Sequence, residues 1–295
     1  MELFRALGSL LEAPSQETAS VAMLLDLGPV PDAAEYSDLF LFQLYPFASV
    51  YLGPEGQLGG EARDRVAGFW RALGETPPSE PDHLATLLGL YARLTELERT
   101  AAESGSRPFW RRARHACLWE HLASWVPAFL AKLTEIAPPF YRAWGELLEA
   151  AIAQEIIEFG PMDRLPLALR AAPPILDPRV ASSSSSDEFL LAILSPVRSG
   201  LVLTRADLAR AGRQLGLGLR IGERRFILDA MLGQDPALTL EWLAREADSW
   251  ADRHDRAGSV APDIADFWVR RATTTTELLR ELCEDARGWR EKGRA

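Results

Sequence analysis

Apolar residues recur three to four positions apart along most of the chain, and no run alternates as the residues of a half-buried β-strand would. In the segment 61–74, for example, Val66, Phe69 and Trp70 share one helical face, and Gly74 provides a stop. The pattern therefore predicts an all-α fold.

Short polar residues and prolines mark where other helices should begin. Ser79 and Asp82 have the spacing of a capping box, which predicts a helix running from there to about Ser104, and Thr204 with Asp207 has the same spacing. Further helices are predicted over 108–124 and 139–159, and another should start at Pro127. Asp235-Pro236 should open a helix that runs to about Asp255. Asp263 and Thr276 could cap the last helices.

The composition changes between the two helical blocks. Several prolines and the run Ser182 to Ser186 fall within residues 161–187, and such segments are typical of linkers. We therefore predict a helical domain over 1–160, a Pro/Ser-rich linker over 161–187 and a carboxy-terminal helical block over 188–295.

Charge excludes one broad class of function. The chain has 32 basic and 42 acidic residues, a net charge of −10, which argues against a general nucleic-acid binder. Residues 1–60 carry one basic and eight acidic residues, a net charge of −7. Such a stretch suits a basic partner, although a solvated acidic surface that only aids solubility would look the same.

Cysteine content and hydropathy indicate in which cellular compartment the protein is expected. Cys117 and Cys283 lie far apart, which excludes a disulfide framework and a paired-cysteine metal site and predicts two buried thiols. The start of the chain lacks the basic region and cleavage pattern of a signal peptide. The longest uncharged run, Leu39 to Pro54, is shorter than a membrane span. We expect a cytoplasmic protein without stable membrane insertion.

Aromatic residues beside acidic ones form a first candidate binding cluster. Tyr36, Leu39 and Phe40 have i, i+3, i+4 spacing, so they line one helical stripe, which Pro46 ends. The aromatic segment that follows contains Ser49 and Tyr51 among its polar and apolar residues. A groove with aromatic walls and an acidic rim would bind an apolar segment with a basic flank, whereas the alternative is that these aromatics belong to the core.

A second cluster, Glu80-Pro81-Asp82-His83, lies at a predicted helix start. A carboxylate in the first turn favours the helix dipole and can accept free backbone N–H groups. His83 beside it could donate a pH-dependent hydrogen bond. From the residues alone, a helix cap explains this cluster as well as a binding site does.

Three motifs in order resemble the TorD/DmsD/NarJ family of molybdoenzyme maturation chaperones. They are Tyr-x-x-Leu-Phe at 36–40, Tyr-Pro-Phe-x-Ser-Val-Tyr at 45–51 and Glu-Pro-Asp-His at 80–83. In the family the last motif has one more residue between proline and aspartate, so the match is closer for Asp82 and His83 than for Glu80 and Pro81. The resemblance covers about residues 30–160.

The resemblance implies a TorD-like helical bundle that is not an enzyme and holds no metal or cofactor. Its partner would be a molybdopterin-dependent oxidoreductase subunit, bound as the apo form or through its twin-arginine leader during cofactor insertion and before export. The implied leader-binding residues are Tyr36, Leu39 and Phe40 for the apolar part, Asp82 and His83 at the polar end with Glu80 and Pro81, and Pro46, Ser49 and Tyr51 in the turn between them. Whether the chain forms a homodimer stays open.

Two other functions remain as alternatives. Residues 198–225 hold seven arginines and two acids, and the region 204–232 faintly resembles a helix-turn-helix, which would suit a transcriptional regulator. We expect those arginines instead to pair with neighbouring acidic helices, and a surface for the client enzyme or its acidic cofactor is a third reading. A hydrolase is less favoured because adjacent Asp82 and His83 cannot easily orient each other and no nucleophile or phosphate-loop motif is present.

Overall fold

The computed structural model describes residues 2–101, 105–180, 186–218, 220, 222–256, 258 and 260–292. Throughout these residues the regular structure is helical, which confirms the predicted all-α class. The paired extended backbone in the same part of the chain is one isolated antiparallel bridge, between Phe47 and His83.

The α-helices are numbered α1 to α16 in chain order. They are α1 Glu2–Ser9, α2 Gln16–Leu24, α3 Ala33–Tyr36, α4 Ala48–Leu52, α5 Gly60–Ala72, α6 Leu84–Thr100, α7 Arg107–Ala116, α8 Val126–Ile136, α9 Pro139–Phe159, α10 Leu167–Ala171, α11 Ser186–Leu194, α12 Pro196–Ser199, α13 Arg205–Leu215, α14 Arg224–Gln234, α15 Pro236–Arg256 and α16 Pro262–Lys292. Two π-helical segments, Ser37–Gln43 and Cys117–Ala123, continue α3 and α7.

Helices that begin and end on local signals lie where the sequence predicted them. Helix α9 has the predicted bounds. Helix α13 has the predicted capping box between Thr204 and Asp207 and ends at Gly216 in the left-handed conformation. Helix α15 begins after Asp235, whose side chain accepts the Leu238 N–H at 3.1 Å. In these helices the information that sets the ends lies within one turn.

The predicted helix starts at Ser79 and Thr276 were wrong, and Asp263 lies inside the first turn of α16 rather than at its N-cap. Helix α6 begins at Leu84 rather than after Ser79, and His83 is its N-cap. The cause is Pro46, whose carbonyl accepts the Leu84 N–H at 2.8 Å, while His83, the residue before Leu84, has extended backbone and follows a turn. Thr276 caps nothing, because α16 is continuous there and the Thr276 hydroxyl donates to the Ala272 carbonyl at 3.0 Å.

Two other predictions fall partly outside the described residues. Helix α6 ends at Thr100, and its predicted end near Ser104 lies outside the described part of the chain. In the serine run, Ser182 to Ser185 also lie outside it, while Ser186 is the first residue of α11.

The chain divides into two compact units. The amino-terminal unit consists of Met1–Gly53, Gln57–Ala171 and Val260–Ile264, and the carboxy-terminal unit of Pro54–Gly56, Ala172–Ser259 and Ala265–Ala295. The main dividing point, after Ala171, falls within residues 161–187. The assignment of 1–160, 161–187 and 188–295 as separate domains stays a prediction.

In the amino-terminal unit α6 is the central helix. It packs against α1 and α7 and buries Leu84, Leu87, Leu88 and Leu94 completely or almost so. Each buried leucine contributes about 1.5–3 kcal/mol relative to an exposed one. The indole N–H of Trp144 on α9 donates to the Leu7 carbonyl of α1 at 3.0 Å, which fixes the end of α1 where the candidate site begins.

The carboxy-terminal unit has its own aromatic core. Trp250 and Trp268 are almost completely buried, and the His254 ring lies 5.1 Å from the first ring and 5.4 Å from the second. The His254 Nε2 hydrogen-bonds the Gly200 carbonyl at 2.8 Å, which ties the turn after α12 to α15. Helix α14 packs against α11, α13 and α15.

Candidate peptide-binding site

Asp82 joins two of the three sequence motifs into one structural element. Its carboxylate accepts the Ser49 N–H at 3.0 Å, and its carbonyl accepts the Ala48 N–H at 3.0 Å. These are the first two N–H groups of α4, which has no cap from its own preceding residue. Asp82 is 1% exposed, so it is a buried cap supplied by a segment more than thirty residues away, and in this structure it does not face a ligand.

Ser49 and Tyr51 are also held in internal contacts. The Ser49 hydroxyl accepts the Gly59 N–H at 3.2 Å. The Tyr51 ring stacks on Trp125 with ring centroids 4.9 Å apart and meets Phe129 edge to face at 6.0 Å. Both residues are buried, as are Pro46 and Pro81 beside them. These buried contacts hold the backbone of α4 and of the segment before α6 in place next to the candidate site.

The stripe formed by Tyr36, Leu39 and Phe40 faces inward. Leu39 is 4% and Phe40 1% exposed, and the Phe40 ring meets Tyr141 edge to face at 4.7 Å. The expectation that Leu39 and Phe40 contact a leader peptide is therefore corrected, because both side chains are enclosed in the core. Tyr36 is half-buried at the outer end of this row, with its ring 5.5 Å from that of Phe40.

Tyr36, Glu80 and His83 do come together, at an open cavity of about 350 Å³. The Tyr36 hydroxyl donates to the Leu11 carbonyl at 3.1 Å, which places the ring over the end of α1. The remaining lining residues were not among the predicted site residues; they are Leu11, Glu12, Ala13, Ala85 and Thr86. Of these, only Glu12 had a signal in the sequence, as one of the acids of residues 1–60.

Two carboxylates give the cavity its negative charge. Glu12 and Glu80 are exposed, and neither forms an ion pair with any residue that the structure describes. The pKa of Tyr36 is raised, first by burial and then by the negative charges of Glu12 and Glu80. The tyrosine therefore stays a neutral hydrogen-bonding group beside two anionic ones.

His83 presents a donor to the cavity. Its Nδ1 accepts the Ala85 N–H at 3.2 Å, so the proton of the neutral ring is on Nε2. The ring packs edge to face against Phe47 at 4.7 Å. Burial lowers the pKa of His83, while Glu80 and Asp82 oppose that change. The imidazole is consequently neutral at pH 7 and lines the cavity beside Glu80.

Several arginines of residues 198–225 contact acids or backbone carbonyls within the carboxy-terminal unit. Arg210 pairs with Asp207 at 3.0 Å and Glu246 at 3.6 Å, and Arg225 with Asp187 at 3.3 Å. Arg224 donates to the carbonyls of Leu203 and Gly56. The predicted pairing with acidic residues therefore holds for Arg210 and Arg225, whereas Arg224 binds backbone carbonyls. These contacts do not favour the regulator alternative.

The two cysteines are buried and unpaired, as predicted. Burial raises the pKa of the Cys117 thiol, so it is protonated. Across the described residues, no three His, Cys, Asp or Glu side chains are grouped so as to hold a metal ion. In the same part of the chain, no helix combines the length and apolar character needed to cross a membrane.

A helical unit with an open pocket lined by two carboxylates and a tyrosine has the charge to attract a basic segment. Residues 19–131 match the family described as nitrate reductase delta subunit. The chain is 32% identical over 132 residues to a chaperone protein TorD of Vibrio cholerae serotype O1 (strain M66-2), covering 42% of this chain and 60% of that protein. It is 30% identical over 131 residues to a chaperone protein TorD of Shewanella pealeana (strain ATCC 700345 / ANG-SQ1), covering 39% and 54% respectively.

These matches confirm the resemblance seen in the three motifs. The chain is therefore similar to this family over residues 19–131, and it is similar to these chaperone proteins as well. It spans somewhat more than half the length of the curated relatives it matches.

Proposed function

We propose that this protein is a molybdoenzyme maturation chaperone that holds the basic leader of a molybdopterin-dependent oxidoreductase subunit before cofactor insertion and export. The similarity of residues 19–131 to the nitrate reductase delta subunit family, and of the chain to two TorD chaperones, supports the general role. The acidic cavity at the end of α1 and the start of α6 supports the leader as the bound segment.

The observation that carries the proposal is the pair of unpaired carboxylates, Glu12 and Glu80, beside the Tyr36 hydroxyl and the His83 ring. A guanidinium group has a planar set of N–H donors that matches a carboxylate in a two-point hydrogen bond. Two carboxylates at one cavity can therefore receive the two arginines of a leader. An aromatic ring such as that of Tyr36 adds a favourable contact for the same cations when they lie over its face.

The apolar part of the leader then needs an exposed apolar surface close in sequence to Tyr36. Leu41 and Phe42 on the π-helical segment are each 51% exposed, whereas Leu39 and Phe40 on the same segment are enclosed. Single π-helical turns occur often at functional sites. We therefore assign the apolar contact to Leu41 and Phe42 in place of Leu39 and Phe40.

Titration calorimetry with synthetic leader peptides tests this proposal. The double variant Glu12→Gln, Glu80→Gln should bind a peptide with an arginine pair and an apolar stretch at least about ten-fold more weakly, because charge-assisted hydrogen bonds contribute about 1.5–3 kcal/mol each. The matched control is Glu149→Gln, an exposed acid of α9 that does not line the cavity. Equal affinity in the double variant and the control would remove the cavity from the mechanism.

A further inference from the structure

A second cavity, of about 260 Å³, lies within the carboxy-terminal unit and is lined by three arginines. Arg198 comes from α12, and Arg270 and Arg271 come from α16. The cavity also has an exposed threonine, Thr274, and one aromatic wall, Phe267. Neither the family match nor the leader-binding cavity involves these residues, so this feature stands independently of the proposed function.

Arg198 is a buried cation whose donors are mostly unused. It is 9% exposed, and its one side-chain hydrogen bond in the described structure is from Nη2 to the Pro174 carbonyl at 3.3 Å. Its Nε is buried without a hydrogen-bond partner. A guanidinium has five N–H donors and no acceptor, and burying such a charge without compensation is strongly unfavourable. The pKa of Arg198 is accordingly lowered by burial, which outweighs the attraction of Glu188 and Glu55.

Arg271 adds a second positive charge in the same place. Its Nη2 donates to the Ala172 carbonyl at 2.6 Å, and its guanidinium carbon lies 5.1 Å from the centre of the Phe267 ring. Its pKa is lowered by burial first, and then by repulsion from Arg198 and Arg270. None of these three arginines forms an ion pair with any part of the chain that the structure describes.

Arg179, another arginine of the carboxy-terminal unit, differs from these three because it forms ion pairs. It contacts three carboxylates, those of Asp177, Glu281 and Asp285, at 2.6–2.9 Å. Glu281 and Asp285 of α16 therefore pair with Arg179. A cluster of like charges that lacks an ion pair in the described part of the chain attracts an anion.

We propose that this cavity binds the phosphoryl group of a small phosphate-bearing molecule. A phosphate carries about −1.5 to −2 charges and three strong acceptor oxygens, so it can neutralise two cations and accept from several N–H groups at once. A carboxylate offers one charge and two oxygens, which fits three arginines less well. The cavity is smaller than the roughly 300–1,000 Å³ typical of drug-sized ligands, as a phosphate or pyrophosphate requires. The Thr274 hydroxyl supplies a neutral donor at the exposed side.

Calorimetry and thermal unfolding of the full chain with inorganic phosphate and pyrophosphate, at constant ionic strength, test the site. We expect saturable binding of pyrophosphate with a sub-millimolar dissociation constant. At ten times that constant, the unfolding midpoint should rise by about 3–5 °C. Acetate at the same ionic strength should produce no comparable rise.

Three variants and one control locate the binding. Arg198→Met and Arg271→Gln should each weaken pyrophosphate binding at least about ten-fold, and Arg198→Met should leave the ligand-free unfolding midpoint unchanged or higher because it removes an uncompensated buried charge. Arg270→Gln, at an exposed position, gives the same test without risk to the fold. The control Arg280→Gln removes an exposed α16 arginine that pairs with Asp248 and should bind normally.

Several results would overturn the proposal. One is that the unaltered protein binds neither phosphate nor pyrophosphate, and another is that acetate raises the unfolding midpoint as much as pyrophosphate does. A third is that Arg270→Gln and Arg271→Gln bind pyrophosphate as tightly as the unaltered protein. The last is that Arg280→Gln loses as much affinity as they do, which would indicate a general charge effect.

Discussion

At the scale of single residues, the structure gives Asp82 a different role from the one that the sequence motif predicts. The motif match predicts that Asp82→Ala weakens leader binding without unfolding the protein, whereas the structure makes Asp82 the buried cap of α4. Asp82→Ala should therefore lower the free energy of unfolding by about 1–2 kcal/mol, because the Ser49 N–H loses its acceptor. Asp82→Asn keeps an acceptor oxygen and should cost less. Urea unfolding of both variants measures this, and unaltered stability in Asp82→Ala would restore a direct binding role.

Two buried histidines should make the free energy of unfolding depend on pH. Burial lowers the pKa of His121 and of His254 to about 4, against about 6.5 in the unfolded chain. The unfolded state therefore binds more protons, so the stabilisation is complete above about pH 6.5 and is lost as the pH falls from there toward about 4. Each histidine accounts for up to about 3 kcal/mol of that loss.

The variant His254→Gln isolates one of these contributions. Glutamine keeps an N–H donor for the Gly200 carbonyl and does not titrate in this range. The free energy of unfolding, measured in urea at pH 7, 6 and 5, should fall less steeply in this variant than in the unaltered protein. Identical slopes would mean that His254 is not the group responsible.

At the scale of elements, the turn after α12 depends on a glycine. Gly200 has φ +78°, and an added Cβ would lie 2.4 Å from the Ala272 nitrogen and 2.8 Å from its Cα, both in α16. Gly200→Ala should lower the free energy of unfolding by about 3 kcal/mol or more, because backbone on both sides must move.

Gly216 provides the matched control for that prediction. It has φ +67° at the end of α13, and nothing lies within 4 Å of an added Cβ. Gly216→Ala should therefore cost only the conformational strain, about 1 kcal/mol. If the two variants had equal unfolding midpoints, the close approach of Gly200 to α16 would not matter for stability.

The sequence predicted those elements whose signals are local. Helices α9 and α13 begin and end as their prolines, capping box and glycine indicated. The start of α6 could not be found in this way, because it depends on the carbonyl of Pro46, far away in the sequence. The same limit applied to the site. Tyr36 and His83 were predicted, but the spacing of Leu39 and Phe40 identifies a helical face without saying that this face points into the core.

At the scale of the whole molecule, two helical units have different chemistry. The amino-terminal unit carries an acidic cavity with Glu12, Glu80 and Tyr36, while the carboxy-terminal unit carries a basic one with Arg198 and Arg271. A cationic peptide should therefore be attracted to the first and repelled by the second.

Photo-cross-linking of a leader peptide to the full chain tests the central claim most directly. The peptide carries a photoreactive residue next to its arginine pair, and the cross-linked positions are read by mass spectrometry. We expect cross-links at residues 11–13, at Tyr36 and at 80–86, weakened in the variant Glu12→Gln, Glu80→Gln. Cross-links concentrated in the carboxy-terminal unit, or spread evenly over the surface, would contradict the account.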